Sequence, residues 1–134
     1  MTISNELKQW LGVSCQPLSD CVAMIVTALT FEDGESIPLF AESMGSQIRF
    51  FDDGAVLFHF LGRGLFLGDK NNNLIQSIAE HHGLLLNPDG EFEIVASKET
   101  ASAAFSRYLS AMIGMMEWER DHSHAASDNG AWMA

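Results

Sequence analysis

Between Cys21 and Gly54 the chain passes through three strand-like segments separated by turn-forming residues, and this stretch constrains the fold more than any other. The segments are Cys21 to Phe31, Ser36 to Glu42 and Gln47 to Phe51, with Glu32-Asp33-Gly34 and Met44-Gly45-Ser46 between them. Each gap holds a glycine able to take a positive φ, so consecutive strands return antiparallel as hairpins. The third segment alternates, with Ile48 and Phe50 on one face and Gln47, Arg49 and Phe51 on the other. It ends at Asp52-Asp53-Gly54, where either aspartate can cap an apolar helix carrying Val56, Leu57, Phe60 and Leu61.

Upstream, Ser4 is placed to cap a first helix with Leu7, Trp10 and Leu11 at helical spacing, and Pro17 marks the crossing into the first strand. Downstream, Gly62-Arg63-Gly64 stops the apolar helix, and Leu65 to Asn71 reads as a short strand or an irregular connection. One of Asn71, Asn72 and Asn73 caps the next helix, which bears Leu74, Ile75, Ile78 and Ala79 and closes at His82-Gly83. Leu84 to Leu86 and Glu91 to Val95 flank Asn87-Pro88-Asp89-Gly90, a strong hairpin turn. Ser97 opens the last and longest helix, with Ala101, Ala104, Phe105, Tyr108, Leu109, Met112 and Met116 as its inward stripe. The pattern predicts an α+β fold: an antiparallel β-meander sheet, extended by the later hairpin, with helices packed on one face and N-terminal and long C-terminal helices. Residues 1–121 form a single domain in this reading, and the small, polar segment 122–134 a flexible C-terminal tail.

Charge narrows the function classes. Eighteen Asp and Glu stand against seven Lys and Arg, a formal charge of -11. Such a surface repels phosphate backbones and anionic lipid and favours basic partners. The cations are scattered (Arg49, Arg63, Lys70, Lys98, Arg107 and Arg120 among them), so the clustered Lys and Arg that nucleic-acid binding requires are missing. Cys15 and Cys21, with five residues between them, match no zinc or redox spacing and read as free thiols. Neither a signal-peptide run nor the roughly 18 apolar residues of a membrane helix is present, which predicts a soluble, cytoplasmic protein.

The tryptophan-bearing first helix, the paired strands, the Ile48-Arg49-Phe50-Phe51-Asp52-Asp53-Gly54 junction, and Gly83-Leu84-Leu85-Leu86 with Asp89-Gly90-Glu91-Phe92 together resemble a known family. It is domain-of-unknown-function family 1828, an uncharacterised small-domain family of bacteria and their phages and mobile elements. The resemblance spans about residues 5 to 120 and implies this order of elements and a phage or mobile-element setting; it implies no activity. The family usually has a threonine-like polar residue before the Asp pair, where this chain has Phe51. At the level of architecture alone, the chain is also similar to the dimeric chaperones that deliver secretion effectors.

Asp52 and Asp53 are the leading carboxylate pair, readable as a metal site or acid/base couple of a hydrolase, or as a helix cap and a solvated turn. Side chains of adjacent residues leaving a strand point apart, which favours the second reading. The nuclease pattern of an Asp followed by Glu-x-Lys is absent, because Glu93 is followed by Ile94 and Lys98 lies too far on. His81-His82 falls at a helix end, His122-Ser123-His124 in the tail, and His59 on the side of its helix away from the core. Gly45-Ser46-Gln47 lacks the flanks of a nucleophile elbow, and Gly62-Arg63-Gly64 with Gly68 matches no phosphate-binding loop. No cofactor is expected.

Phe40, Phe50, Phe51, Phe58, Phe60 and Phe66 crowd the middle of the chain, and Met112, Met115, Met116 and Trp118 the last helix. That surplus predicts an exposed apolar patch. The resulting expectation is a non-enzymatic, acidic protein-interaction module, able to homodimerise, with Arg49, Phe51, Phe58, Met115 and Trp118 at its binding surface. The competing expectations are a metal-dependent hydrolase using Asp52 and Asp53, and an acidic DNA mimic whose stripe would be Glu32, Asp33, Glu35, Glu42, Asp52 and Asp53.

Overall fold

A computed structural model describes residues 3–65 and 68–133, with side chains resolved as far as His122 apart from Asp69. The helices are α1 (Ile3–Leu11), α2 (Ala55–Gly62), α3 (Asp69–His81) and α4 (Ala101–Met133). The strands are β1 (Cys15–Pro17), β2 (Val22–Ile25), β3 (Leu39–Met44), β4 (Gln47–Phe51), β5 (Leu85–Leu86) and β6 (Phe92–Ser97). All six strands form one antiparallel sheet in the order β1-β2-β3-β4-β6-β5. The architecture is the expected α+β meander, extended on the β4 side by the later hairpin.

Register explains the core. Ile25 pairs with Leu39, Ala23 with Ala41, Ala41 with Phe50, and Phe50 with Ile94, so one apolar row crosses four strands. Every member of that row is buried. Helices α1 and α4 pack on it, with Phe105 of α4 against Phe50 at 5.4 Å between ring centroids. Tyr108 is sealed among these residues and donates its hydroxyl to the Phe92 carbonyl at 2.9 Å. Burial pushes the Tyr108 phenol well above its ordinary pKa, and the charge of Asp52 adds to that.

The first predicted strand is shorter than its sequence suggests. Only Val22–Ile25 pairs with β3, and the rest of that segment leaves the sheet, touching it again through an isolated bridge between Thr30 and Ser36. The bridge lies two residues out of the β2–β3 register, so the Glu32-Asp33-Gly34 turn tops a bulged loop rather than a hairpin of the main ladder. The segment around Pro17, expected only as a crossing, forms edge strand β1.

Helix starts also differ from expectation. Ser4 lies inside α1, and α3 begins at Asp69 with Gly68 at its N-cap, ahead of the three asparagines. Of the segment 65–71, Leu65 is buried in an irregular connection and Asp69 to Asn71 are helical. Residues 66 and 67, Phe66 among them, lie outside the described residues. The backbone of α4 runs on to Met133, and the tail expected over 122–134 falls where side chains beyond His122 are not described. Along α4 the buried stripe is Ala101, Ala104, Phe105, Tyr108, Ala111, Met112, Met115 and Trp118, with Leu109 and Met116 at its margin. Among the described residues no helix is long and apolar enough to cross a membrane.

Candidate functional site

The strand-to-helix junction is built around Asp52. Its side chain is fully buried: Oδ1 accepts the Phe92 N–H at 2.9 Å and the Gly54 N–H at 3.3 Å, and Oδ2 accepts the Val56 N–H at 2.9 Å. One carboxylate thus ties the end of β4, the first turn of α2 and the start of β6. Burial raises its pKa above the ordinary carboxylate value, against the Val56, Phe92 and Gly54 bonds that lower it. Asp53 is exposed and takes φ 57°, and Gly54 follows at φ 78°, so the chain reverses through two left-handed residues. Backbone donors occupy both Asp52 oxygens, and Asp53 leaves the turn towards solvent. The pair reads as cap and turn rather than a shared metal site.

Of the residues expected at a binding surface, the structure displays one. Phe58 is 79% exposed. Met115 and Trp118 are buried, because the six-stranded sheet and α2 offer more surface to cover than a three-stranded meander would; Trp118 packs on Phe60 at 5.1 Å between ring centroids. Phe51 lies on the sheet face opposite Phe50, yet it is buried too, stacked on Phe40 and roofed by the Arg49 guanidinium 3.8 Å above its ring. Arg49 bonds Glu42 at 3.0 Å, Glu91 at 3.1 Å and Glu93 at 2.9 Å. Burial alone would lower the Arg49 pKa, but the bonds to Glu93, Glu42 and Glu91 outweigh it and raise it. This cluster is a lid over Phe51, made of residues drawn from β3, β4 and the β5–β6 hairpin.

A second constellation had no counterpart in the sequence reading. His59, expected on the outer side of α2, is buried, and its Nε2 meets Oε2 of Glu119 at 2.5 Å. Glu119 is itself fully buried on α4, and its Oε1 accepts the Glu32 N–H at 2.9 Å. Phe31 stacks flat on the imidazole, 3.6 Å between centroids and 13° from parallel. Arg63 approaches Glu119 at 3.7 Å and Glu32 at 3.5 Å. The loop acids complete the group: His59 Nδ1 lies 3.8 Å from Glu35 Oε2, and donor atoms of Asp33, Glu35 and His59 fall within 4.8 Å of one another. Phe31, Asp33, Glu35, His59 and Arg63 line a cleft of about 380 Å³ between the β2–β3 loop and α2, with Ala55, Phe58 and Gly62 on its helical wall.

The signals for this group were faint. His59 follows Val56 by three residues, and Glu119 follows Met115 by four, both helical steps from buried positions. A histidine and a glutamate on inward positions of two helices can be buried only if they meet. The six acids of the expected stripe do not share a face: Asp52 is buried, Glu42 holds Arg49 on the sheet, and Glu32, Asp33 and Glu35 flank α2.

The fold and this site define a small α+β protein with one helix-covered sheet and an acidic cleft at the end of α2. The family model described as "Domain of unknown function DUF1828" matches residues 27–115, and the chain belongs to that family. The match takes in β3 to β6, α2, α3, the β2–β3 loop and the first part of α4. No curated protein and no solved structure matches the chain.

Proposed function

We propose that this protein is a non-enzymatic interaction module that binds a basic, apolar segment of another protein through the outer face of α2, in the phage or mobile-element setting that the family resemblance implies. One observation carries the reading. Helix α2 carries apolar residues on both faces, with Val56 and Phe60 in the core while Phe58 and Leu61 are 79% and 60% exposed. A helix that is apolar on both faces is normally buried on both, so its outer face lacks a partner. The exposed acids Asp33 and Glu35 border that face, in a chain of net charge -11. Complementarity then selects a partner with Leu- or Phe-type anchors flanked by Lys and Arg. A second copy of this chain suits the face less well, since two acidic rims would meet.

The test is anisotropy of labelled amphipathic peptides, one with Lys and Arg flanking Leu and Phe anchors and one with those cations replaced by Glu. The cationic peptide should bind, weaken with added salt, and weaken at least about tenfold in Phe58→Asp, a loss of roughly 1.4 kcal/mol. Equal binding of both peptides, or indifference to Phe58→Asp, would overturn the reading. A dimer by light scattering that Phe58→Asp converts to monomer would reassign the face to a second copy.

A further inference from the structure

We infer that Asp33, Glu35 and His59 form a binding site for a first-row divalent cation of the Zn²⁺ type. The ring of His59, rather than the acids, anchors the site. Its side chain is only 6% exposed, and Nε2 is engaged by Glu119, both of whose oxygens act as acceptors. In the tautomer that donates Nε2–H to this carboxylate, the ring lone pair lies on Nδ1. Nδ1 faces the cleft, 3.8 Å from Glu35 Oε2, too long for a hydrogen bond. A carboxylate behind a histidine, fixing its tautomer and raising its basicity, is the outer shell of a metal-bound imidazole. Phe31, stacked on the ring, holds its plane.

The donor set and spacing select the ion. One imidazole nitrogen with two carboxylates suits Zn²⁺ or a neighbouring transition ion, whereas Mg²⁺ and Ca²⁺ prefer oxygen alone. Zinc bonds of about 2.0–2.2 Å put tetrahedral ligands about 3.4 Å apart. The three donor atoms here lie within 4.8 Å, and the two carboxylates stand on exposed loop residues, Asp33 accepting the Glu35 N–H through Oδ1 at 3.0 Å, so a bound ion draws the loop inward by the difference. The open cleft gives the ion a path in and leaves the fourth position to water. Arg63 lines the same cleft, but Glu32 and Glu119 oppose its charge.

The inference does not rest on the partner-binding reading, and it is tested with metal alone. Titration calorimetry of the full chain with ZnCl₂ should show one ion per chain. Asp33→Asn with Glu35→Gln, both at exposed positions, should weaken it at least about tenfold while leaving the urea midpoint unchanged. Glu119→Gln should weaken it roughly 10–100-fold with all three ligands in place. Cobalt substitution should give visible absorption that the double variant lacks. His124→Ala, which removes half of the competing His122-Ser123-His124 pair, should change nothing. Absence of 1:1 binding, binding unaltered in the double variant, or binding lost in His124→Ala would overturn the assignment.

Discussion

Replacing Asp52 by alanine tests the central joint of the fold. The substitution removes the acceptor for three backbone donors, two of them at 2.9 Å. A buried donor stripped of its partner costs roughly 1–3 kcal/mol, so Val56 and Phe92 together give about 4 kcal/mol. Relief of a desolvated carboxylate returns part of this, leaving a net loss of about 3 kcal/mol. Against a total stability of roughly 5–15 kcal/mol the variant remains folded but melts about 10 °C lower. Urea unfolding followed by tryptophan fluorescence reads the loss, and hydrogen exchange locates it at the Val56 and Phe92 amides. An unfolding free energy within about 0.5 kcal/mol of the parent at pH 7, or undiminished protection of those two amides, would refute the reasoning. The isosteric Asp52→Asn adds a pH test. Because the folded pKa is raised above an unfolded value of about 3.9, the folded state holds the proton more tightly. The contribution of Asp52 is therefore complete below the unfolded pKa and lost as pH rises through the folded one. The stability of the parent relative to Asp52→Asn should fall over that window.

Arg49→Met should cost about 2 kcal/mol by urea titration, because Glu42, Glu91 and Glu93 are left facing one another over an unroofed Phe51; added salt should recover part of it by screening the repulsion. Gly114→Ala should change the melting temperature little, since a helix-propensity gain of about 1 kcal/mol is offset by a Cβ placed 3.1 Å from Ile78 Cγ2. Gly114→Leu should lower it clearly by prying α3 from α4, at a cost of about 1–3 kcal/mol. Phe58→Asp should leave stability within about 0.5 kcal/mol of the parent, a value that urea titration measures directly and that separates its binding role from any structural one.

Local chemistry marked those parts of the fold that depend on neighbours in sequence. The Gly45-Ser46 turn, the Asp52-Asp53-Gly54 reversal, the Asn87 to Gly90 hairpin and the His82-Gly83 stop are all spelled by residues with special backbone freedom or side-chain bonds to nearby amides. The alternation of β4 showed which face carries Ile48 and Phe50. What it could not show is that Arg49 would fold over Phe51 and bury that face locally, because the three anchoring glutamates come from two other strands and a hairpin. The stripe of α4 was legible at Ala101, Ala104, Phe105, Tyr108 and Met112. Beyond these, Ala111, Met115 and Trp118 win burial over Leu109 and Met116, since the helix turns by 100° per residue and α2 and α3 cover it further along. His59 and Glu119 stand 60 residues apart, and only the packing of α2 on α4 brings them together.

The two margins of the sheet have a consequence for how this protein can associate. At one margin stands β1, three residues long and ending in Pro17, which has no amide hydrogen to offer; at the other stands β5, two residues long. Neither presents a ladder that an extended chain could continue, so the sheet is terminated at both ends. Such edges disfavour fibre growth and strand donation in the native state and favour assembly through side chains. Leu85, 65% exposed on the shorter margin, can therefore contribute greasiness without templating a seventh strand.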